Sequence, residues 1–172
     1  MKRLKLASAV GMLAVCSALH AQAQSAVARL QATKGSATAG TVTFAQKGDK
    51  VTVEAKVSGL TPGGHGFHIH EKGDCSSGDG MSAGGHFNPT GKSHGNPTTG
   101  GDHHAGDVPM LVADAAGNAS LSMDLDGLTV GGGAADIVGR AVIVHKDPDD
   151  YTTQPTGNSG ARLACGVIAK SG

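Results

Sequence analysis

Six histidines and one aspartate, His68, His70, His86, His94, His104, His145 and Asp107, are the side chains of this sequence best suited to chemistry. The chain has nine histidines, and all but His20 fall in its later part, most of them in a Gly-rich middle segment. Neutral imidazole is the commonest side-chain metal ligand. A nitrogen-rich set with a single carboxylate suits copper and zinc, whereas magnesium and calcium prefer oxygen. The cluster therefore points to a metalloprotein whose ions take part in its chemistry.

The spacing assigns the ligands to different kinds of element. In Gly66-Phe67-His68-Ile69-His70-Glu71, strand alternation sends Phe67 and Ile69 to the core and His68 and His70 to the other face, close enough to share an ion. His86, His94 and His104 follow on a loop, with Asp107 three residues after His104. Three imidazoles and a carboxylate make a closed tetrahedral set, as in a structural zinc site. His145 ends an apolar run and is placed to reach His68 and His70 from a neighbouring strand. His65 is expected to be a structural, hydrogen-bonded histidine. His103 competes with His104 for one loop position; the spacing to Asp107 favours His104 and leaves His103 facing solvent.

The elements that must hold these residues are strands. Thr41-Val42-Thr43-Phe44 and Val51-Thr52-Val53-Glu54-Ala55-Lys56-Val57 alternate and flank a Gly-Asp turn within residues 46–50, which predicts a β-hairpin. Residues 118–126 alternate again after a turn, residues 141–145 form a β-branched run, and residues 163–169 read as a last strand. Short strands between Gly-rich turns indicate an all-β barrel or sandwich. Two long irregular segments, residues 71–107 and 146–162, break the pattern. Loops of that length in a compact domain are usually functional or disordered, and the first carries most of the candidate ligands.

The N-terminus reads as a secretory leader. Lys2, Arg3 and Lys5 precede an apolar stretch over residues 6–19, and Ala21-Gln22-Ala23 supplies small residues for cleavage after Ala23. A lipidated-cysteine reading at Leu13-Ala14-Val15-Cys16 is disfavoured by the bulk of Val15. The stretch is short for a membrane span, and no other segment reaches the required length. Residues 1–23 are thus expected to be removed and residues 24–172 to form one domain in the periplasm or outside the cell. Of three cysteines, Cys16 leaves with the leader, so Cys75 and Cys165 are expected to pair in that oxidising compartment. With 14 Lys and Arg against 14 Asp and Glu, the formal net charge is zero. No basic or acidic run favours nucleic acid or an anionic membrane surface.

Four segments together, Gly66-Phe67-His68-Ile69-His70-Glu71, Gly85-His86-Phe87-Asn88-Pro89, His104-Ala105-Gly106-Asp107 and Gly157-Asn158-Ser159-Gly160-Ala161-Arg162-Leu163-Ala164-Cys165-Gly166, resemble the copper/zinc superoxide dismutase family from about Ala26 onward. With the leader, the chain is similar to an exported bacterial member. The resemblance implies an eight-stranded Greek-key flattened β-barrel and superoxide anion as substrate. It implies one copper per subunit on His68, His70, His86 and His145, and one zinc on His86, His94, His104 and Asp107, with His86 bridging both ions. It also implies a disulfide between Cys75 and Cys165, a carboxylate at Asp149 linking His68 to His94, and Arg162 as the substrate-docking cation. Lys72 and Lys92 are candidate steering charges. Cys75 follows His70 closely, as in bacterial members, while the zinc loop is closer to the eukaryotic form. Gln154 and Pro155 stand where many eukaryotic members carry a lysine. This mixture leaves homodimer and monomer both open. A non-enzymatic metal carrier, the main competing reading, would not need Arg162; a zinc hydrolase would need an H-E-x-x-H motif that the sequence lacks.

Overall fold

A computed structural model describes residues 24–171. The leader read at residues 1–23, with Cys16 and the cleavage position, lies outside the described residues. Eight strands follow in chain order: β1 (Ser25–Ala32), β2 (Ala39–Lys47), β3 (Lys50–Ser58), β4 (Gly63–His70), β5 (Asp107–Ala113), β6 (Ala119–Leu125), β7 (Ala141–His145) and β8 (Arg162–Lys170). Among the described residues the only helical element is a single 3-10 turn at Met81–Ala83. The strands pair antiparallel in the order β5-β4-β7-β8-β1-β2-β3-β6. β3 pairs with β6 instead of its successor β4, and β4 pairs with β7 across the fold. These crossings make the strand order a Greek key, and the sheet rolls into a nearly closed barrel.

Alternation explains most of the core. Val42 and Phe44 of β2, and Val51, Val53, Ala55 and Val57 of β3, are buried, while their neighbours are more exposed. Phe67 and Ile69 join this core as alternation requires. The hairpin is longer and tighter than the sequence suggests. Lys47 pairs with Lys50, so the turn is only Gly48-Asp49, with Gly48 at φ +62°. That left-handed φ suits glycine.

Two strands escape the alternation reading. β1 fills the core with Ala26, Ala28 and Leu30, two of which are too small to give a clear apolar rhythm. β5 carries Pro109, which argues against a strand, yet β5 ends the strand order, where a missing N–H is tolerated. β7 is buried at all five positions because both its faces are covered. Val142 and Val144 face the main core. Ala141 and Ile143 form a second cluster with Ala83 and Cys165, against which Cys75 packs. The Cys75–Cys165 disulfide ties the long 71–107 loop to β8 at this cluster, with a Cα–Cα distance of 5.8 Å.

Candidate metal centre

The strand pairing brings the distant histidines together. β4 lies between β5 and β7, with His68 opposite Asp107 on one side and His70 opposite Ala141 on the other. His145 ends β7, opposite Arg162 of β8. The loop returns to β4 through an isolated bridge between His70 and His86, reinforced by Phe87 N–H donating to the Ile69 carbonyl at 2.8 Å. Two groups of side chains result, His68, His70, His86 and His145 in one, and His86, His94, His104 and Asp107 in the other. In each, the potential ligand atoms lie within 4.8 Å of one another. All seven residues are buried, and His86 alone belongs to both groups.

In the second group three imidazole nitrogens converge on one oxygen. His86 Nδ1, His94 Nδ1 and His104 Nδ1 lie 2.8, 3.0 and 3.4 Å from Asp107 Oδ1. His104 Nδ1 is also 3.4 Å from His86 Nδ1. Four ligands at zinc bonding distances around a tetrahedron stand about 3.3 Å apart, so this cage has the size of a zinc site. Asp107 Oδ2 accepts the backbone N–H groups of His104 and Gly95 at 2.8 and 3.1 Å, which turns Oδ1 toward the rings. Burial disfavours the Asp107 charge, but hydrogen bonds from His104, His86 and His94 outweigh it and hold the carboxyl far below its usual range.

The first group shows the lone pairs of a metal site without their usual partners. His70 Nδ1–H donates to the Gly84 carbonyl at 2.9 Å, and His145 Nδ1–H donates to the Gly160 carbonyl at 3.3 Å. Both rings then present bare Nε2 atoms, which face each other at 3.4 Å. His68 Nε2–H donates to Asp149 Oδ2 at 2.7 Å, leaving Nδ1 bare. His68 Nδ1 and His86 Nε2 are buried with no hydrogen-bond partner. Buried polar atoms are normally satisfied. Facing lone pairs and orphaned nitrogens are what a cation would satisfy, so the residues fit both a copper and a zinc. Burial, with repulsion from neighbouring rings, drives the pKa values of His70 and His145 well below the ordinary value. Burial also lowers His86 to about 4. These rings are therefore neutral near pH 7, the form that binds metal.

Asp149 sits behind both groups. Its Oδ2 accepts from His68, and its Oδ1 accepts from His94 Nε2–H at 2.9 Å and from the Tyr151 N–H at 2.7 Å. Burial opposes its charge, yet the His68 and His94 bonds keep the carboxyl ionised and its pKa depressed. His94 responds in the opposite sense. Burial lowers its pKa, but bonds to Asp107 and Asp149 more than compensate and raise it to about 9. The carboxylate fixes the tautomer of one ring in each group, as partners behind metal ligands generally do. Gly157, at φ +64°, makes this contact possible, since a Cβ there would overlap Asp149 Oδ1 and lie 2.6 Å from His94 Nε2. Gly157→Ala should displace the carboxylate and weaken zinc retention by about tenfold or more, measured by competition with a chromophoric chelator. Unchanged retention would show that Asp149 can move at no cost to the cage.

Arg162 lies beside the first group, opposite His145 in the pairing of β7 with β8. Its two terminal nitrogens donate to the carbonyls of Gly80 and Gly84 at 2.8 and 2.7 Å. The same Gly84 carbonyl accepts from His70, so one peptide orients both a histidine and the cation. Guanidinium has five N–H donors, and the side chain is half-buried, so donors remain for an anion. His65 is buried between the His145 carbonyl at 2.9 Å and the Thr61 carbonyl at 2.8 Å, a structural role as expected. His103 differs from expectation. It is half-buried, not solvent-facing, because its Nδ1 donates to the His104 carbonyl at 2.9 Å, and it joins neither group. Lys72 is exposed, and exposed Lys92 lies 3.7 Å from Asp102, which offsets part of its charge. The carbonyls of Gly84 and Gly160, and the roles of Gly157 and Tyr151, could not be read from residue types, since backbone acceptors leave no signal in a sequence.

Comparison with known proteins shows similarity to one family over most of the chain. The copper/zinc superoxide dismutase (SODC) family profile matches residues 38–168. Superoxide dismutase [Cu-Zn] 2 of Brassica juncea is 45% identical over 140 residues, covering 77% of this chain and 90% of that protein. The crystal structure of the clock protein EA4 aligns with a TM-score of 0.76 at 40% identity, covering 84% of this chain and 93% of that one.

Proposed function

The chain belongs to the copper/zinc superoxide dismutase family, and on that premise we propose how its residues divide the work of a copper- and zinc-dependent enzyme. The reaction takes two superoxide anions and two protons to dioxygen and hydrogen peroxide. In our reading copper is held by His68, His70, His86 and His145, and zinc by His86, His94, His104 and Asp107. When bound, copper supplies a one-electron redox couple and zinc, which has no accessible redox state, supplies fixed charge. The observation that carries this reading is the single residue shared by both groups, His86.

The remaining roles belong to the chain. Asp107 and Asp149 hold His94 from opposite sides, and Asp149 holds His68 as well. Phe87 and Gly106 stitch the loop to β4, so His86 is presented to both groups from a fixed backbone. His86 Nε2 has no protein partner, and we assign it the proton that passes to substrate leaving as peroxide. Arg162 docks the anion. An always-charged group with fixed geometry suits a small anion better than a flexible ammonium. Arg162→Ala should lower kcat/KM by about tenfold or more, the worth of a hydrogen bond to a charged group, with copper content unchanged. Its residual rate should also depend less on salt, because screening acts on the lost charge. An undiminished rate in that variant would remove Arg162 from the mechanism.

We also propose that the protein is an exported, bacterial-type enzyme of the periplasm or cell exterior, with residues 24–172 as its mature domain. The supports are the basic and apolar leader residues, the small residues before Gln24, and a disulfide of the kind that persists in oxidising compartments. Metal analysis and a dismutation assay of purified mature protein test the central reading. We expect one copper and one zinc per chain, with activity lost on copper removal and regained on its return. Equal activity without copper would overturn it.

A further inference from the structure

His94 is the only histidine of either group with no strand beside it and no neighbouring loop backbone paired to its own. It lies in the irregular stretch between Asn88 and Asp107 and is 3% exposed. Buried backbone N–H and C=O groups must find partners. Among the described residues, both partners of His94 come from one side chain. The His94 N–H donates to Gln154 Oε1 at 2.8 Å, and Gln154 Nε2 donates to the His94 carbonyl at 2.9 Å. This is the double exchange that opposed residues make in an antiparallel ladder, with a side-chain amide standing in for the second strand.

The same loop holds the ring. Asp149, five positions before Gln154, accepts from His94 Nε2–H. Backbone and imidazole of His94 are thus fixed from one segment, which leaves Nδ1 pointing at Asp107 Oδ1. A ligand on an otherwise unpaired loop loses rotational freedom on binding, and holding its peptide in advance removes that cost. We propose that Gln154 is a positioning residue for the zinc ligand His94, acting through its backbone and making no contact with the metal. This rests on the reading of His94 as a zinc ligand. Gln154 itself is exposed, so its replacement leaves the barrel core intact.

The test uses the full mature protein, metal-free and then titrated with zinc in the presence of a competing chelator. Gln154→Met keeps the length of the side chain and removes the amide. It should weaken zinc binding by about tenfold. In the metal-free protein, the His94 amide should exchange its hydrogen at least about tenfold faster, because its acceptor is gone. Thr152→Ala, on the same loop, removes only hydroxyl contacts to Asp150 and should leave both readouts within about twofold of the parent. His94→Ala should abolish tight zinc binding. If Gln154→Met binds zinc and protects the His94 amide like the parent, the positioning role is wrong. Equal losses in Thr152→Ala would assign the effect to general loosening of the loop and would also overturn it. Tight zinc binding by His94→Ala would instead overturn the ligand assignment beneath it.

Discussion

Replacing His86 with alanine should disable both metal sites at once. Removing a partner behind a metal ligand typically costs ten- to a hundredfold in affinity or activity. A residue common to two ligand groups should cost more, so dismutation should fall by at least about a hundredfold. Zinc retention and copper retention should weaken together, because the cage loses Nδ1 and the four-histidine group loses Nε2. The fold should survive, since the Phe87 and Gly106 backbone bonds to β4 do not involve the imidazole. Metal content, activity and the thermal transition of the metal-free variant separate these effects. A variant that loses one metal and keeps the other at parental affinity would show that the two sites are independent.

The disulfide should carry the second largest effect. Cys75 and Cys165 are 90 positions apart. In the chain-entropy account, closing a loop of that length stabilises the fold by roughly 4–5 kcal/mol, and removal of such bonds typically costs about 2–5 kcal/mol. The barrel has little to compensate with, because its core is built from Val, Ala, Leu and Ile with few aromatic rings. The bond also pins the segment whose Gly80 and Gly84 carbonyls hold Arg162 and His70. The Cys75→Ser, Cys165→Ser double variant should therefore unfold at clearly lower urea in the metal-free state. Its kcat/KM should fall further than its metal content. Parental midpoints would mean that the Ala83–Ile143 cluster holds the loop alone.

The legible and illegible parts of this molecule differ for physical reasons. Ligands are written in residue type, so all seven side chains of the two groups could be named before any fold was known. His145 is the clearest case, since its run of apolar neighbours placed it on a strand beside His68. The hairpin of β2 and β3 was legible because large and polar residues alternate there. β1 was not, because Ala26 and Ala28 bury little area and leave little rhythm. β5 was not, because Pro109 hides an edge strand. Gln154 drew notice only as a departure at a loop position. Its partners are the peptide groups of His94, which no side-chain pattern can announce. His103 misled for a related reason, since a backbone carbonyl holds it half-buried.

Anomalous diffraction from crystals of the fully metallated protein, collected across the copper and zinc absorption edges, tests the arrangement most directly. We predict two ions, copper among His68, His70, His86 and His145, and zinc among His86, His94, His104 and Asp107, with the His86 ring touching both. A single ion, or two ions with no ligand in common, would contradict it.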